Sequence, residues 1–188
     1  PLAGRLLDAL AAAHRQGVVH RDIKPENVLF SAAGEPCLVD FGVARSSDQT
    51  LGLTATSMVV GTPAFMAPEQ ARGEEVTAAA DVFSLGATLL FALTGNGPYG
   101  PASTDPRVLM HRAASGRIEK VPRELPADAR TLLGEMLDPR PERRPSAARL
   151  RGGPAGTRPF TGLVDAVRHN RALAAAGVGA VLLLLLVG

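Results

Sequence analysis

The chain has 188 residues, a formal net charge of +2 and a single cysteine, Cys37. That length fits one ordinary domain with a tail. The charge is too small to argue for a nucleic-acid partner, and no basic stripe interleaved with aromatics is present. One cysteine excludes an internal disulfide and suits a reducing compartment.

In chain order, Leu2, Leu6 and Leu10 recur at helical spacing with Leu7 beside them, and Gly17 supplies a stop. This predicts an amphipathic helix that begins before Pro1. The short apolar runs Val28-Leu29-Phe30 and Cys37-Leu38-Val39 flank the turn former Ala33-Gly34-Glu35-Pro36, which predicts a small hairpin. Residues 42–61 are rich in Ser and Thr and lack periodicity, so they read as a loop.

The stretch 77–93 carries Val82, Phe83, Leu85, Leu89, Leu90 and Leu93 on nearly every helical face. It predicts a helix buried all round rather than a membrane span, because Asp81, Ser84 and Thr88 interrupt it. Asp105-Pro106 caps a further helix to about Ser115, residues 128–137 form another, and 146–150 a short last one. Gly, Pro and Thr from 152 to 161 mark the start of a linker that runs to 171. Residues 172–188 carry no charge and end in an aliphatic run, which predicts a membrane-spanning helix. Arg158, Arg168 and Arg171 precede it against one acid, Asp165, which places the preceding domain on the cytoplasmic side. The sequence opens at Pro1 and stops at Gly188 within the apolar run, so both ends read as cut.

The segment His20-Arg21-Asp22-Ile23-Lys24-Pro25-Glu26-Asn27 closely resembles the catalytic loop of protein kinases, in its serine/threonine form with Lys two places after Asp. Phosphoryl transfer needs a group that orients the attacking hydroxyl, cations that neutralise the phosphates, and ligands for those cations. The resemblance implies that Asp22 accepts the proton of the substrate hydroxyl. Lys24 sits against the transferring phosphoryl group, and Asn27 offers an oxygen to Mg2+. Asp40-Phe41-Gly42 lies thirteen residues after Asn27, just past the hairpin. That is the position of the metal-binding Asp in this family, which implies that Asp40 bridges Mg2+ (or Mn2+) to the phosphates of ATP.

The segment Gly61-Thr62-Pro63-Ala64-Phe65-Met66-Ala67-Pro68-Glu69 is similar to the substrate-docking end of the kinase activation segment, with Thr62 near the catalytic Asp and Lys. Glu69 matches a residue that pairs with a buried Arg downstream. Arg144, which precedes Pro145, is the match within 138–145. Asp81, twelve residues after Glu69, is implied to hold backbone amides around His20 and Arg21, while His20 itself reads as a packing residue. Arg21 before the catalytic Asp implies regulation by a phosphate on the 42–61 loop. Thr54 and Thr56 stand at the spacing of autophosphorylated threonines in bacterial transmembrane kinases.

The resemblance implies a mainly α fold: a protein-kinase-like C-terminal lobe over 1–151 with a small β-hairpin, a juxtamembrane linker over 152–171 and a truncated transmembrane helix over 172–188. The N-terminal lobe, with its Gly-rich phosphate loop and its lysine for the α and β phosphates, is absent from these residues, so the chain alone is expected to be inactive. The implied partners are protein substrates carrying Ser or Thr, the kinase itself by autophosphorylation in a dimer, and the membrane, with no nucleic acid. The competing readings are a pseudokinase scaffold and a catalytically dead remnant. The first would be expected to lose Asp22, Asn27 or Asp40, all of which are present.

Overall fold

The computed structural model describes residues 2–41, 63–101 and 104–152. Helix α1 (Leu2–Arg15) buries Ala3, Leu6, Leu7, Leu10 and Ala11 on one face, with Arg5 and Asp8 in solvent on the other. It closes where Val18 N–H reaches Ala13 O at 3.0 Å. Gly17 adopts a left-handed φ of 73° in that turn. Strands β1 (Val28–Phe30) and β2 (Pro36–Leu38) pair antiparallel, with Leu29 opposite Cys37. Compared with the sequence expectation, β2 starts one residue earlier and ends one earlier. Its Val39 N–H instead bonds Asn27 O at 3.0 Å, which leads the chain out of the ladder toward Asp40.

After Pro63–Phe65, a turn of 3-10 helix, and the short α2 (Pro68–Ala71) comes α3 (Ala78–Thr94). Thr77 caps α3 by accepting from Ala79 N–H at 3.3 Å. Gly95 ends it in a left-handed conformation and donates to Phe91 O at 2.8 Å. Every residue from Ala80 to Leu90 is buried, Asp81, Ser84 and Thr88 included. The helix is the axis of the core, and α5 (Ala127–Met136) closes against it at Gly86.

Sequence reading leaves a second hairpin unassigned. β3 (Asn96–Gly97) and β4 (Gly100–Pro101) pair antiparallel directly after α3. Two-residue strands around Pro98 carry no alternation to detect. The stretch Gly95-Asn96-Gly97-Pro98-Tyr99-Gly100 has the glycine spacing of a phosphate loop, but it follows a helix and builds this hairpin. It delivers Tyr99 into the core, where the hydroxyl donates to Met66 O at 2.7 Å and burial pushes its pKa far up.

Helix α4 (Pro106–Ala114) is capped by Asp105, which accepts from Arg107 N–H at 2.8 Å. Helix α6 (Ala147–Gly152) begins one residue later and ends two later than expected, so the first residue of the expected linker is helical. It packs on α1, with Arg151 Nε donating to Asp8 Oδ1 at 2.7 Å. The described residues are thus mainly helical with two small antiparallel sheets. Among them no helix is long and apolar enough to cross a membrane. The expected span at 172–188 and the linker beyond Gly152 lie outside the described residues.

Candidate functional site

The loop between α1 and β1 carries a dense polar arrangement. Pro25 at the start of a single 3-10 turn, Pro25–Asn27, bends the chain so that Asn27 points back at Asp22. Asn27 Nδ2 donates to Asp22 O at 2.7 Å and to Asp22 Oδ2 at 3.3 Å. Lys24 Nζ donates to the same Oδ2 at 2.9 Å. Asn27 is buried, while Asp22 and Lys24 are partly open to solvent. The structure therefore brings Asp22, Lys24 and Asn27 together on one carboxylate.

Two residues beside this cluster hold backbone conformations that L side chains rarely adopt. Arg21 has φ 66° and Asp40 φ 57°, each costing on the order of 1–3 kcal/mol unless its surroundings hold it. At Arg21 those surroundings are explicit. Asp81, buried in the first turn of α3, accepts from Arg21 N–H through Oδ1 and from His20 N–H through Oδ2, both at 2.8 Å. A buried carboxylate is tolerated only with such donors. His14, from the last turn of α1, completes the set with Nε2 2.8 Å from Asp81 Oδ2.

His20 does more than pack. Its Nε2 lies 2.9 Å from Val39 O, and Asp22 N–H approaches Nδ1 at 3.4 Å. This pattern assigns the proton to Nε2. The ring also meets Phe41 at 4.5 Å between centroids. His20 thereby ties the loop to the strand that delivers Asp40.

On the far side, Glu69 and Arg144 form a bidentate pair, Nη1 to Oε1 at 2.6 Å and Nη2 to Oε2 at 2.8 Å. Both residues are buried. Arg144 also donates to Asp138 O at 2.7 Å and Ala79 O at 3.0 Å, and its guanidinium lies 4.9 Å from the Phe83 ring centre. Every donor has an acceptor, the condition under which a buried ion pair is tolerated. Asp138 turns its own carboxyl to Arg140. Burial works to raise that group's pKa, but the hydrogen bonds from Arg140 outweigh it, and the carboxyl is held below its ordinary range.

Gln70 is a site residue that sequence reading missed. Its Oε1 accepts from Ala67 N–H at 3.1 Å and its Nε2 donates to Arg21 O at 2.9 Å. The available signal was Gln at the third position of a helix opened by Pro68, which marks half of a capping box. His14 gave no signal at all. Thr54, Thr56 and Thr62 lie outside the described residues.

The donor set near the loop suits a hard divalent cation. The Asn27 amide nitrogen is committed to Asp22, which leaves its carbonyl oxygen for a metal, and the Asp40 side chain belongs to an exposed residue. Among the described residues no group of three His, Cys, Asp or Glu converges on another metal site.

Residues 2–154 match the protein kinase domain family. The chain is 43% identical over 155 residues to serine/threonine-protein kinase PkaA of Streptomyces coelicolor, covering 81% of this chain and 28% of that protein. It is 44% identical over 147 residues to serine/threonine-protein kinase PknK of Mycobacterium tuberculosis, covering 77% and 13%. With serine/threonine-protein kinase AfsK of Streptomyces griseus the identity is 46% over 125 residues, covering 66% and 15%. The chain thus spans well under a third of the length of these curated relatives.

Proposed function

Because this chain belongs to the protein kinase domain family, we propose that it supplies the C-terminal lobe of a serine/threonine kinase that moves the γ-phosphoryl group of ATP to protein hydroxyls. One observation carries the reading: Asp22 Oδ2, Lys24 Nζ and Asn27 Nδ2 converge within 3.3 Å on a single loop. Asp22 orients the Ser or Thr hydroxyl and takes its proton as the oxygen attacks. Lys24, already against that carboxylate, offers its positive charge to the transferring group. Asn27 and Asp40 would hold Mg2+, which when bound neutralises phosphate charge.

Asp81, Glu69 and Arg144 position this machinery and do no chemistry. Thr62 would serve substrate docking, as the resemblance of its segment to the kinase activation segment implies. Phosphate on Thr54 or Thr56, placed there by autophosphorylation within a dimer, would be held by Arg21, a side chain suited to bidentate phosphate contact. The uncharged run 172–188, preceded by Arg158, Arg168 and Arg171, supports a membrane anchor with the kinase on the cytoplasmic side. Among the described residues there is no Gly-rich phosphate loop of the strand–loop kind, so the 188 residues by themselves are expected to be inactive.

The test is phosphorylation of a Ser/Thr peptide by the full-length protein and its Asp22→Asn variant. The variant is expected to lose activity by at least a thousandfold. Undiminished transfer by the variant, with contaminating kinases excluded, overturns the assignment.

A further inference from the structure

We propose that Gln70 is a positioning residue for Asp22: its side-chain amide locks the Arg21–Asp22 peptide in its left-handed conformation and keys it to the substrate-docking segment. The inference rests on the kinase reading for its functional consequence, although its geometric part does not.

Arg21 is held in an unfavourable backbone conformation, φ 66°, one residue before the carboxylate at the centre of the site. A residue with a Cβ keeps such a conformation only where contacts on both sides enforce it. Asp81 Oδ1 takes the Arg21 N–H at 2.8 Å and Gln70 Nε2 donates to the Arg21 carbonyl at 2.9 Å. These two side chains come from different helices, α3 and α2, and grip the two polar groups of one residue. Asp81 alone leaves the carbonyl free to swing, and that carbonyl belongs to the peptide that aims Asp22.

The other end of the Gln70 amide faces Ala67 N–H at 3.1 Å. Ala67 sits between Met66 and Pro68, at the end of the segment compared above with the docking region. Since Oε1 meets a donor and Nε2 an acceptor, the orientation of the amide is determined by its two partners. Gln70, Asp22, Lys24, Phe65 and Met66 line one small cleft between the two segments. A single planar group thus fixes the distance between the backbone that would receive a substrate and the backbone that would activate its hydroxyl.

The geometry makes Glu an informative replacement. Gln70→Glu keeps size and shape, and an ionised carboxylate still accepts from Ala67, but it presents an oxygen to the Arg21 carbonyl. A protonated carboxyl restores one donor. Gln70→Ala removes both contacts at every pH.

The experiment compares full-length parent, Gln70→Ala and Gln70→Glu in peptide phosphorylation from pH 6 to 8.5, beside hydrogen exchange of the same proteins. Both variants are expected to lower kcat at pH 8 by about tenfold or more with the KM for ATP within twofold of the parent. Facing the Arg21 carbonyl oxygen favours the protonated form of a carboxyl at position 70, so the kcat of Gln70→Glu relative to the parent should rise as pH falls, whereas the ratio for Gln70→Ala stays flat. Amides of residues 20–24 should exchange at least tenfold faster in both variants at pH 8, with those of α3 unchanged. The exchange measurement stands even if the parent transfers no phosphate, an outcome that would remove the kinase reading and leave the lock. Unchanged exchange in residues 20–24, or variant kcat within twofold of an active parent, overturns the proposal. Faster exchange through α3 as well would show a general loss of structure and also overturn it.

Discussion

Helix α3 and the loop carrying Asp22 lie against each other, joined through Asp81, yet they are stabilised in opposite ways. The helix has good caps, near-continuous apolar burial and favourable backbone angles throughout. The loop has few buried apolar side chains, a left-handed Arg21 and a set of hydrogen bonds supplied by distant elements. A region that packs well can hold a neighbour that does not, and the strained neighbour is where the partly open polar groups of the candidate site stand. Stability and chemistry are therefore expected to separate under mutation.

The largest stability effect should come from the packed side. Glu69→Ala strands the buried guanidinium of Arg144 and is expected to cost about 3–5 kcal/mol, read as a fall in the denaturation midpoint. A variant that melts like the parent would show that the ion pair contributes nothing to this half of the comparison. Gly86→Ala probes the helix directly. A Cβ at Gly86 would lie 2.8 Å from Met136 Cβ, and overpacking of that kind costs about 1–3 kcal/mol. A neutral result would mean that α3 and α5 slide apart freely.

Smaller is the effect at Asp138, which joins the packed side through the 138–144 turn. Its carboxyl titrates below its ordinary range when folded, so its stabilisation is complete above the unfolded value and is lost as pH falls through the folded one. The stability gap between parent and Asp138→Asn should therefore close below about pH 4, measured by urea denaturation at several pH values. A gap that widens on acidification would contradict the direction given. The smallest effect belongs to the loop. Lys24→Ala removes a partly exposed ion pair and should change stability by no more than about 0.5 kcal/mol, while peptide phosphorylation by the full-length protein falls sharply. A large loss of stability there would erase the contrast between the two regions.

Much of this was legible in the residues because the signals are local. Thr77, Asp105-Pro106 and Gly17 mark helix ends through their own backbone and side-chain preferences. The apolar residues of α3 announce burial on every face. Asp22, Lys24 and Asn27 sit within six positions on one loop, so their spacing alone nearly dictates their meeting. The β3–β4 hairpin was not legible, because its strands are too short to show a period. Gln70 and His14 stayed hidden for a different reason: their partners lie 49 and 67 residues away.

What the sequence determined by itself was the chemical inventory of the loop, the caps and the identity of the buried helix. Each follows from preferences that a residue carries with it. Folding alone selected the backbone groups that Gln70 and His20 would serve, the Arg21 and Val39 carbonyls. Backbone amides and carbonyls are alike at every position, so nothing in Gln70 names Arg21 as its target, and for Asp81 only the family resemblance pointed to the amides of His20 and Arg21. The left-handed angles at Arg21 and Asp40 are likewise a tertiary outcome. Local preference opposes them in a residue with a Cβ, and for Arg21 the contacts that outweigh it come from Asp81 and Gln70 on two other helices.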